Sequence, residues 1–205
     1  MKKSFIFILC AVLFTCCTKT PEQKAEALIK DSVVKHLYVP DSYQPVETQL
    51  DSAFAPYLAP ELIQGVIDFH KMLNDSKDKK EDMRRAKSSM SIWYSTYHMS
   101  DYEIERYQQA KENYEEAQSS YNRIMSRLQE KAEWIKNKMA EEITFIGFMA
   151  RHRFRANNNA GDTLFGESYY LLNPELTTIV AEWDEDDINM FFKTFEQEEL
   201  QEFYH

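Results

Sequence analysis

The sequence predicts an α+β protein in which a four-stranded antiparallel sheet packs on N- and C-terminal helices. A long antiparallel helical hairpin is expected between the first two strands. The middle of the chain, residues 60–142, has no proline after its first position and a single glycine, which is typical of long helices. Residues 143–172 indicate two strands around an Asn- and Gly-rich turn. Amphipathic segments of helical spacing lie at both ends of the chain.

The first two elements are a helix and a strand. Apolar residues recur at helical spacing from Pro21 to Leu37, and proline suits the first turn of a helix. Val39 precedes a proline, which disfavours the α conformation and ends the helix. Residues 45–54 alternate loosely, with one face made of Val46, Thr48, Leu50 and Ser52. This alternation predicts the first strand.

The middle of the chain predicts the helical hairpin. Residues 61–97 form an apolar helical face, but the very polar stretch 74–82 leaves open whether they make one helix or two. Ser100 and Glu103 form a capping box that begins the next helix, which is expected to run to about Glu142. Apolar residues recur every seven positions there, at Tyr107, Tyr114, Tyr121, Leu128 and Ile135. This heptad pattern predicts a coiled-coil-like seam against 61–97, and we interpret the tyrosines as packing residues.

The last third of the chain predicts a meander and a closing helix. Residues 157–162 supply the turn after the strand that begins at Ile143, and residues 163–172 return. A turn at 173–175 leads to a strand at 177–183. The acids at 184–187 suit the first turn of a helix. Its apolar face is expected at Ile188, Phe191, Phe192, Phe195 and Leu200.

The N-terminus resembles a lipoprotein signal peptide. Two lysines precede a short apolar run from Phe5 to Phe14, too short to span a bilayer. The stretch 13–17, Leu-Phe-Thr-Cys-Cys, resembles the lipobox, in which a cysteine is acylated and begins the mature chain. Cys16 fits this position, Cys17 is the alternative, and a plain cleaved signal is a third interpretation. The predicted organisation is a signal peptide at 1–15, lipidated cysteine and tether at 16–23, the α+β domain at 24–58 and 143–205, and the helical insertion at 59–142.

Composition excludes several classes of site. The chain has 24 basic and 34 acidic residues, a formal net charge of −10, which disfavours binding to nucleic acid or to anionic membrane surfaces. All three cysteines, including Cys10, lie in the signal region, so no cysteine-based metal site or nucleophile is expected in the body. The acidic run at 184–187 lacks the spacing of a calcium loop, and the histidines lack zinc-site spacing. We therefore predict no metal, no cofactor and no catalytic residue.

Three arginines form the best candidate site in the sequence. Arg151, Arg153 and Arg155 alternate along a predicted strand, so their guanidinium groups share one face at intervals of about 7 Å. Such a row could bind carboxylate or phosphate groups. The alternative, which we favour in so acidic a chain, is that the arginines balance nearby acids such as Glu167 or Glu182.

Two further stretches are similar to small uncharacterised lipoproteins of Bacteroidota. One is Ala27-Leu28-Ile29 followed by the segment 37–45, LYVPDSYQP. The other is Arg-Phe-Arg-Ala-Asn-Asn at 153–158 with the later Gly161 and a tyrosine-rich return strand. The resemblance covers the two ends of the chain. It implies a cell-envelope lipoprotein and carries over no catalytic residues.

These patterns lead to a functional prediction with two alternatives. The leading prediction is a non-enzymatic lipoprotein with a binding or structural role. Its lipid is expected to anchor it to the membrane, most simply the outer membrane, and its expected partner is an envelope protein. One alternative is a small-ligand binder or hydrolase with a pocket near Arg151, His152 and Arg153. The other is self-association through the hairpin.

Overall fold

The fold is α+β, as the sequence predicts, in a computed structural model that describes residues 19–94 and 99–196. Its antiparallel sheet has the strand order β1-β2-β3-β4, and two long helices lie between β1 and β2 in the chain. The predicted signal segment with Cys16 and Cys17, and Leu200 of the last helix, lie outside the described residues. The elements are α1 (Pro21–Val33), β1 (Gln44–Ala55), α2 (Pro60–Trp93), α3 (Asp101–Met139), β2 (Thr144–Asn157), β3 (Thr163–Leu172), β4 (Ile179–Asp184) and α4 (Glu185–Glu196), with short 3-10 turns at Val34–His36 and Pro40–Ser42.

Local capping residues determine where two of the helices begin. At the start of α3 the Ser100 hydroxyl accepts a hydrogen bond from the Glu103 backbone N–H at 3.4 Å, and the Glu103 carboxylate accepts one from the Ser100 N–H at 2.8 Å. Thr20 and Gln23 make the same reciprocal pair at the start of α1. Each pair satisfies N–H groups that have no partner within the helix. The predicted start of α3 is therefore confirmed.

Helix α2 is a single helix of 34 residues. The polar stretch 74–82 does not interrupt it, which answers the question that the sequence left open. Ion pairs at helical spacing support this part of the helix, between Lys79 and Asp82 at 3.1 Å and from Glu81 to Arg84 and Arg85 at 2.7 and 3.1 Å. Charged residues three or four positions apart face each other only when the chain is helical. The polar stretch is thus a solvated helix surface.

The last strand begins later than the sequence predicts, at residue 179 instead of 177. The backbone N–H groups of Thr177 and Thr178 donate to the side-chain carbonyl oxygen of Asn173, at 2.8 and 3.0 Å. These two residues therefore belong to the turn, which also holds Leu176 at a φ of 54°.

The chain divides into two compact units. Unit 1 comprises residues 19–52 and 147–182 of the described chain. Its core lies between α1 and one face of the sheet, and its buried residues are Ala25, Ile29, Val33, Ala150, Tyr170 and Leu172. The three α1 residues follow helical spacing and the sheet residues alternate, so both patterns direct apolar side chains to one layer.

Unit 2 comprises residues 53–94, 99–146 and 183–196 of the described chain. Its largest interface joins α2 to α3, and α4 packs on α2. The Thr194 hydroxyl of α4 lies 3.1 Å from Nδ1 of His70, and Lys71 forms a 3.8 Å ion pair with Asp187. The C-terminal helix is thus grouped with the helical pair, whereas the sequence suggested the α+β body for it.

Candidate functional site

The β2–β3 hairpin brings the sequence-predicted arginines to one face of unit 1. The two strands pair antiparallel, with Arg151 opposite Tyr169, Arg153 opposite Glu167 and Arg155 opposite Phe165. Because side chains alternate along a strand, His152 belongs to the other face. We call the arginine-bearing side the outer face and the His152 side the inner face.

Arg151 is held by a carboxylate on the neighbouring strand. Its Nε and Nη2 donate to the two oxygens of Glu167, at 2.7 and 2.9 Å, and the Tyr169 hydroxyl donates to the same carboxylate at 2.8 Å. The Glu167 side chain is 11% exposed. The pKa of Glu167 lies below its ordinary value, chiefly because Arg151 donates to the charged form. Arg151 therefore has its guanidinium committed to an internal partner, in line with the interpretation that acids balance the row.

The other two arginines differ from Arg151. Arg153 reaches Glu167 at 3.5 Å and Glu47 of β1 at 3.8 Å, distances of ion pairs without a close hydrogen bond. The Arg155 guanidinium carbon lies 4.8 Å from the centre of the Phe165 ring, in cation–π geometry. The three arginines are therefore held less tightly toward the hairpin turn: Arg151 forms a bidentate ion pair, Arg153 forms longer ion pairs, and Arg155 is exposed.

On the inner face, His152 is fully buried. Its Nε2 lies 2.8 Å from the Tyr43 hydroxyl and its Nδ1 lies 2.9 Å from the Thr48 hydroxyl. The His152 ring stacks on Phe154 and on Tyr43, with centroids 5.8 and 6.1 Å apart. Burial lowers the pKa of His152 from 6.5 to about 4, so the imidazole is neutral at physiological pH.

This arrangement gives His152 a structural role. A neutral imidazole has one N–H and one acceptor nitrogen, and two hydroxyls that can each donate or accept satisfy both. Burial also raises the pKa of Tyr43, which keeps its hydroxyl protonated. With both ring nitrogens bonded and no exposed surface, His152 has no group left to offer a substrate.

An apolar groove lies where the β2–β3 hairpin ends. Its volume is about 270 Å³, and three of its residues are unusually exposed for their type: Tyr38 at 77%, Phe165 at 66% and Leu164 at 55%. The remaining lining residues are His36, Leu37, Phe154, Ala156, Asn157, Asn158 and Gly166. Arg155 borders the groove through its contact with Phe165. The groove thus combines exposed apolar surface with one cation.

The polar groups at the groove hold the hairpin turn. The Asn158 side-chain oxygen accepts from the backbone N–H groups of Ala160 and Asp162, both at 2.9 Å. The side-chain oxygen of Asn157 accepts from the Thr163 hydroxyl at 3.0 Å. Because these amides are used within the turn, the binding character of the groove comes from its apolar side chains.

The groove was not predicted from the sequence, although the neighbouring arginines were. Leu164 and Phe165 are adjacent apolar residues directly after the turn, where a two-residue alternation would place one of them in solvent. This pair of adjacent apolar residues could therefore have indicated exposed apolar surface. No such pattern in the sequence marks Tyr38, because its position beside the hairpin results from the path of the chain after α1.

The other candidate features of the sequence have structural explanations or lie outside the described residues. The Asp184 carboxylate accepts from the Asp187 N–H at 2.8 Å, so the acidic run caps α4 as proposed. Within residues 19–94 and 99–196, no group of three His, Cys, Asp or Glu side chains could hold a metal ion. No helix in the same ranges is long and apolar enough to cross a membrane.

Comparison of the chain with protein-family models, with curated proteins and with solved structures found no match.

Proposed function

We propose that this protein is a membrane-anchored lipoprotein of the cell envelope that binds a partner protein through the apolar groove of unit 1. The anchor rests on the lipobox-like stretch at 13–17 and on the two cysteines, Cys16 and Cys17, that follow a short apolar segment. The binding role rests on one observation above all, the exposed apolar surface of Tyr38, Leu164 and Phe165 around a groove. Exposed patches of this kind mark interaction sites on proteins.

The anchor and the groove lie at opposite ends of α1. Three residues lie between Cys17 and Pro21, and the four steps from one to the other reach at most about 14 Å, so an anchor at Cys17 would keep the start of α1 close to the lipid. The 13 residues of α1 then advance about 20 Å to the segment that carries His36 and Tyr38. A groove at the far end of the helix is accessible to another envelope protein.

The chemistry of the groove defines its partner. Its apolar lining fits one or two aliphatic or aromatic side chains of a protein segment, and Arg155 at its border favours a carboxylate beside them. A small anionic metabolite is a poorer fit, because the side-chain N–H of Asn158, which lines the groove, already donates to the Asp162 carboxylate at 3.2 Å and that carboxylate would repel an anion.

The second candidate function is a small-ligand binder or hydrolase that uses Arg151, His152 and Arg153. Observations on unit 1 favour the first candidate: His152 lies in a filled core, and Arg151 and Arg153 lie on the opposite face in ion pairs. Changing Arg151, Arg153 and Arg155 to Ala tests the second candidate. Loss of binding of an anionic metabolite in the triple variant would support it, and unchanged binding across a metabolite screen would remove the site.

The anchor is tested by cell fractionation. In the double variant Cys16→Ala, Cys17→Ala we expect the protein to leave the membrane fraction and to lose incorporation of labelled palmitate. The two single variants identify the acylated cysteine, because only one of them should release the protein. Retention of the double variant in the membrane fraction would show that the anchor proposal is wrong.

The groove is tested by site-specific cross-linking in the intact envelope. A photoreactive amino acid at position 164 is expected to give a defined cross-linked product with one protein. The matched control carries the same amino acid at Val180, a β-strand residue of unit 1 with similar exposure, 53%. Addition of Phe165→Ser should abolish the product from position 164. Equal products from both positions would contradict the groove as a specific site.

A further inference from the structure

The two long helices of unit 2 are packed unevenly along their length. At one end, Leu62, Ile63, Ile67, Leu128 and Ile135 are fully buried. In the other part, which we call the distal half and define as residues 77–94 and 99–123, Ala110 is the one described residue that is buried. Intrinsic helix propensity contributes little to the stability of long helices, which depend mainly on packing of their apolar faces. The distal half therefore has surface available for further packing.

Exposed apolar residues are concentrated at the end of the distal half. Ile92 is 75% exposed, Tyr94 59%, Tyr102 55% and Ile104 41%. Two aromatic contacts join the helices there, Trp93 to Tyr102 at 6.0 Å and Tyr94 to Tyr107 at 5.7 Å. These four side chains leave apolar area exposed on more than one side of this end, because residues two positions apart in a helix point to different sides.

Helix α2 carries a basic stripe in the distal half. Residues 77–87 contain six basic and three acidic residues. Lys77, Lys80, Arg84 and Lys87 are exposed and are spaced by three or four positions, so they follow one side of the helix. Together with Glu81 and Met83 they line a cleft of about 370 Å³.

Helix α3 carries an acidic stripe in the distal half. Residues 101–116 contain six acidic and two basic residues. Asp101, Glu105, Glu112 and Glu116 are exposed and fall within one side of the helix at a repeat of 3.6 residues. The distal half thus presents a basic surface on one helix and an acidic surface on the other.

We propose that the distal half is a docking surface for a second copy of this chain, with the basic stripe of one copy against the acidic stripe of the other. Charge complementarity orients the two copies and speeds their encounter. Apolar contact with exposed side chains at this end adds to the affinity. Four helices in contact bury seams that two helices leave open, as in helical bundles.

A second copy fits this surface better than an anionic membrane does. A lipid surface would attract the basic stripe but repel the acidic stripe and the chain as a whole, whose net charge is −10. A second copy satisfies both stripes at once. The surface lies on unit 2 alone, so this interaction is independent of the groove in unit 1.

Exchange of charges between the stripes tests the proposal. The full chain is used with Cys16→Ala and Cys17→Ala, so that shared lipid micelles cannot join two copies. In this background we expect a mass that rises with concentration, and co-purification of two differently tagged copies.

Two variants reverse the charges of one stripe each. The basic-stripe variant is Lys80→Glu, Lys87→Glu, which leaves the Arg84–Glu81 pair intact, and the acidic-stripe variant is Glu105→Lys, Glu112→Lys. For each variant alone, the dissociation constant of self-association should rise by about tenfold or more.

Mixing the two variants is the decisive step. The basic-stripe variant now carries acids that match the bases introduced in the acidic-stripe variant, so the mixture should recover co-purification. The control Lys24→Glu, Lys35→Glu makes the same charge change at exposed positions of unit 1 and should not alter association. Circular dichroism checks that each variant keeps its helix content.

Three results would overturn the proposal. The first is a constant monomer mass at every concentration, and the second is failure of the mixture to recover. The third is loss of binding to vesicles containing anionic lipid in the Lys80→Glu, Lys87→Glu variant without any change in association, which would assign the basic stripe to a membrane.

Discussion

The two faces of strand β2 differ in the burial and charge of their polar side chains. On the inner face, His152 is buried, neutral and bonded to two hydroxyl groups. On the outer face, Arg151 keeps its charge and is bonded to a carboxylate that is itself largely covered. The two residues are adjacent in the chain, and only the alternation of the strand separates their surroundings.

The difference suggests separate roles for the two faces, because burial and solvent exposure favour different kinds of polar side chain. Burying a charge costs far more than burying a satisfied neutral group, so the inner face accepts only the neutral imidazole. The outer face is half open to water, where ion pairs are weak and leave side chains such as Arg155 available. Stability should therefore depend on the inner face and recognition on the hairpin end of the outer face.

The largest effect is expected in the core beneath the inner face. Ile29 of α1 is fully buried in the cluster that includes Ala150 and Leu172. Ile29→Ala removes methyl groups and leaves a cavity, so the free energy of unfolding should fall by about 3 kcal/mol in urea denaturation. The control Val180→Ala, at a 53% exposed site, should change it by less than about 0.5 kcal/mol. Equal effects would mean that α1 does not form the core of unit 1.

A pH dependence is expected next, from His152. Its pKa is about 4 in the folded chain and 6.5 as the reference, so the unfolded chain binds more protons between these values. Stability is thus complete above pH 6.5 and falls as the pH decreases to 4, by at most about 3 kcal/mol. His152→Gln should remove this part of the pH profile, measured by urea denaturation at a series of pH values.

The window separates His152 from other groups. Glu167, whose pKa is lowered from 4.5, begins to lose its contribution only as the pH falls below about 4.5, so the interval between pH 4.5 and 6.5 reports on His152. If His152→Gln leaves the profile between pH 4.5 and 6.5 unchanged, the imidazole is not buried in the neutral form.

A smaller effect is expected from the outer-face ion pair. Glu167→Gln removes the charge that Arg151 and Arg153 share, and the free energy of unfolding should fall by about 1 kcal/mol. A double-mutant cycle with Arg151→Gln isolates the coupling between the two side chains, which should account for most of that loss. A coupling near zero would show that the pair does not stabilise the hairpin, and a loss as large as that of Ile29→Ala would remove the contrast between the faces.

The smallest effect on stability is expected at the groove. Arg155→Ala gives up one exposed cation–π contact with Phe165 and should change the free energy of unfolding by less than about 0.5 kcal/mol. It should nevertheless reduce the cross-link from position 164, because Arg155 faces the proposed partner. Arg151→Ala provides the comparison, since its guanidinium is already used by Glu167 and the cross-link should persist. The opposite ranking of the two variants would move the binding site along the strand.

Much of the architecture was predictable because its signals are local. The proline-free middle, the capping box at Ser100 and Glu103, and the acids at the start of α4 each act within a few residues. Strand β1 was predicted at 45–54 and spans Gln44–Ala55. The continuity of α2 was not predictable from its polar stretch, because the same charges suit a loop and a solvated helix surface.

The candidate site was predictable only in part. Alternation alone puts Arg151, Arg153 and Arg155 on one face, and the structure has them there. Their different environments depend on β1 and β3, which bring Glu47, Phe165 and Glu167 to them. The hydroxyls of Tyr43 and Thr48 reach His152 from more than a hundred residues away in the chain.

The sequence by itself determined the class of the fold, the order of its elements and the face to which each strand residue belongs. These follow from periodicity, capping and turn chemistry, which act between neighbours in the chain. The tertiary structure alone decided that Arg151 is bonded to a carboxylate, that His152 is buried and neutral, and that Tyr38, Leu164 and Phe165 line one groove. These properties depend on burial and on contacts between distant segments, and no pattern within a single segment specifies them.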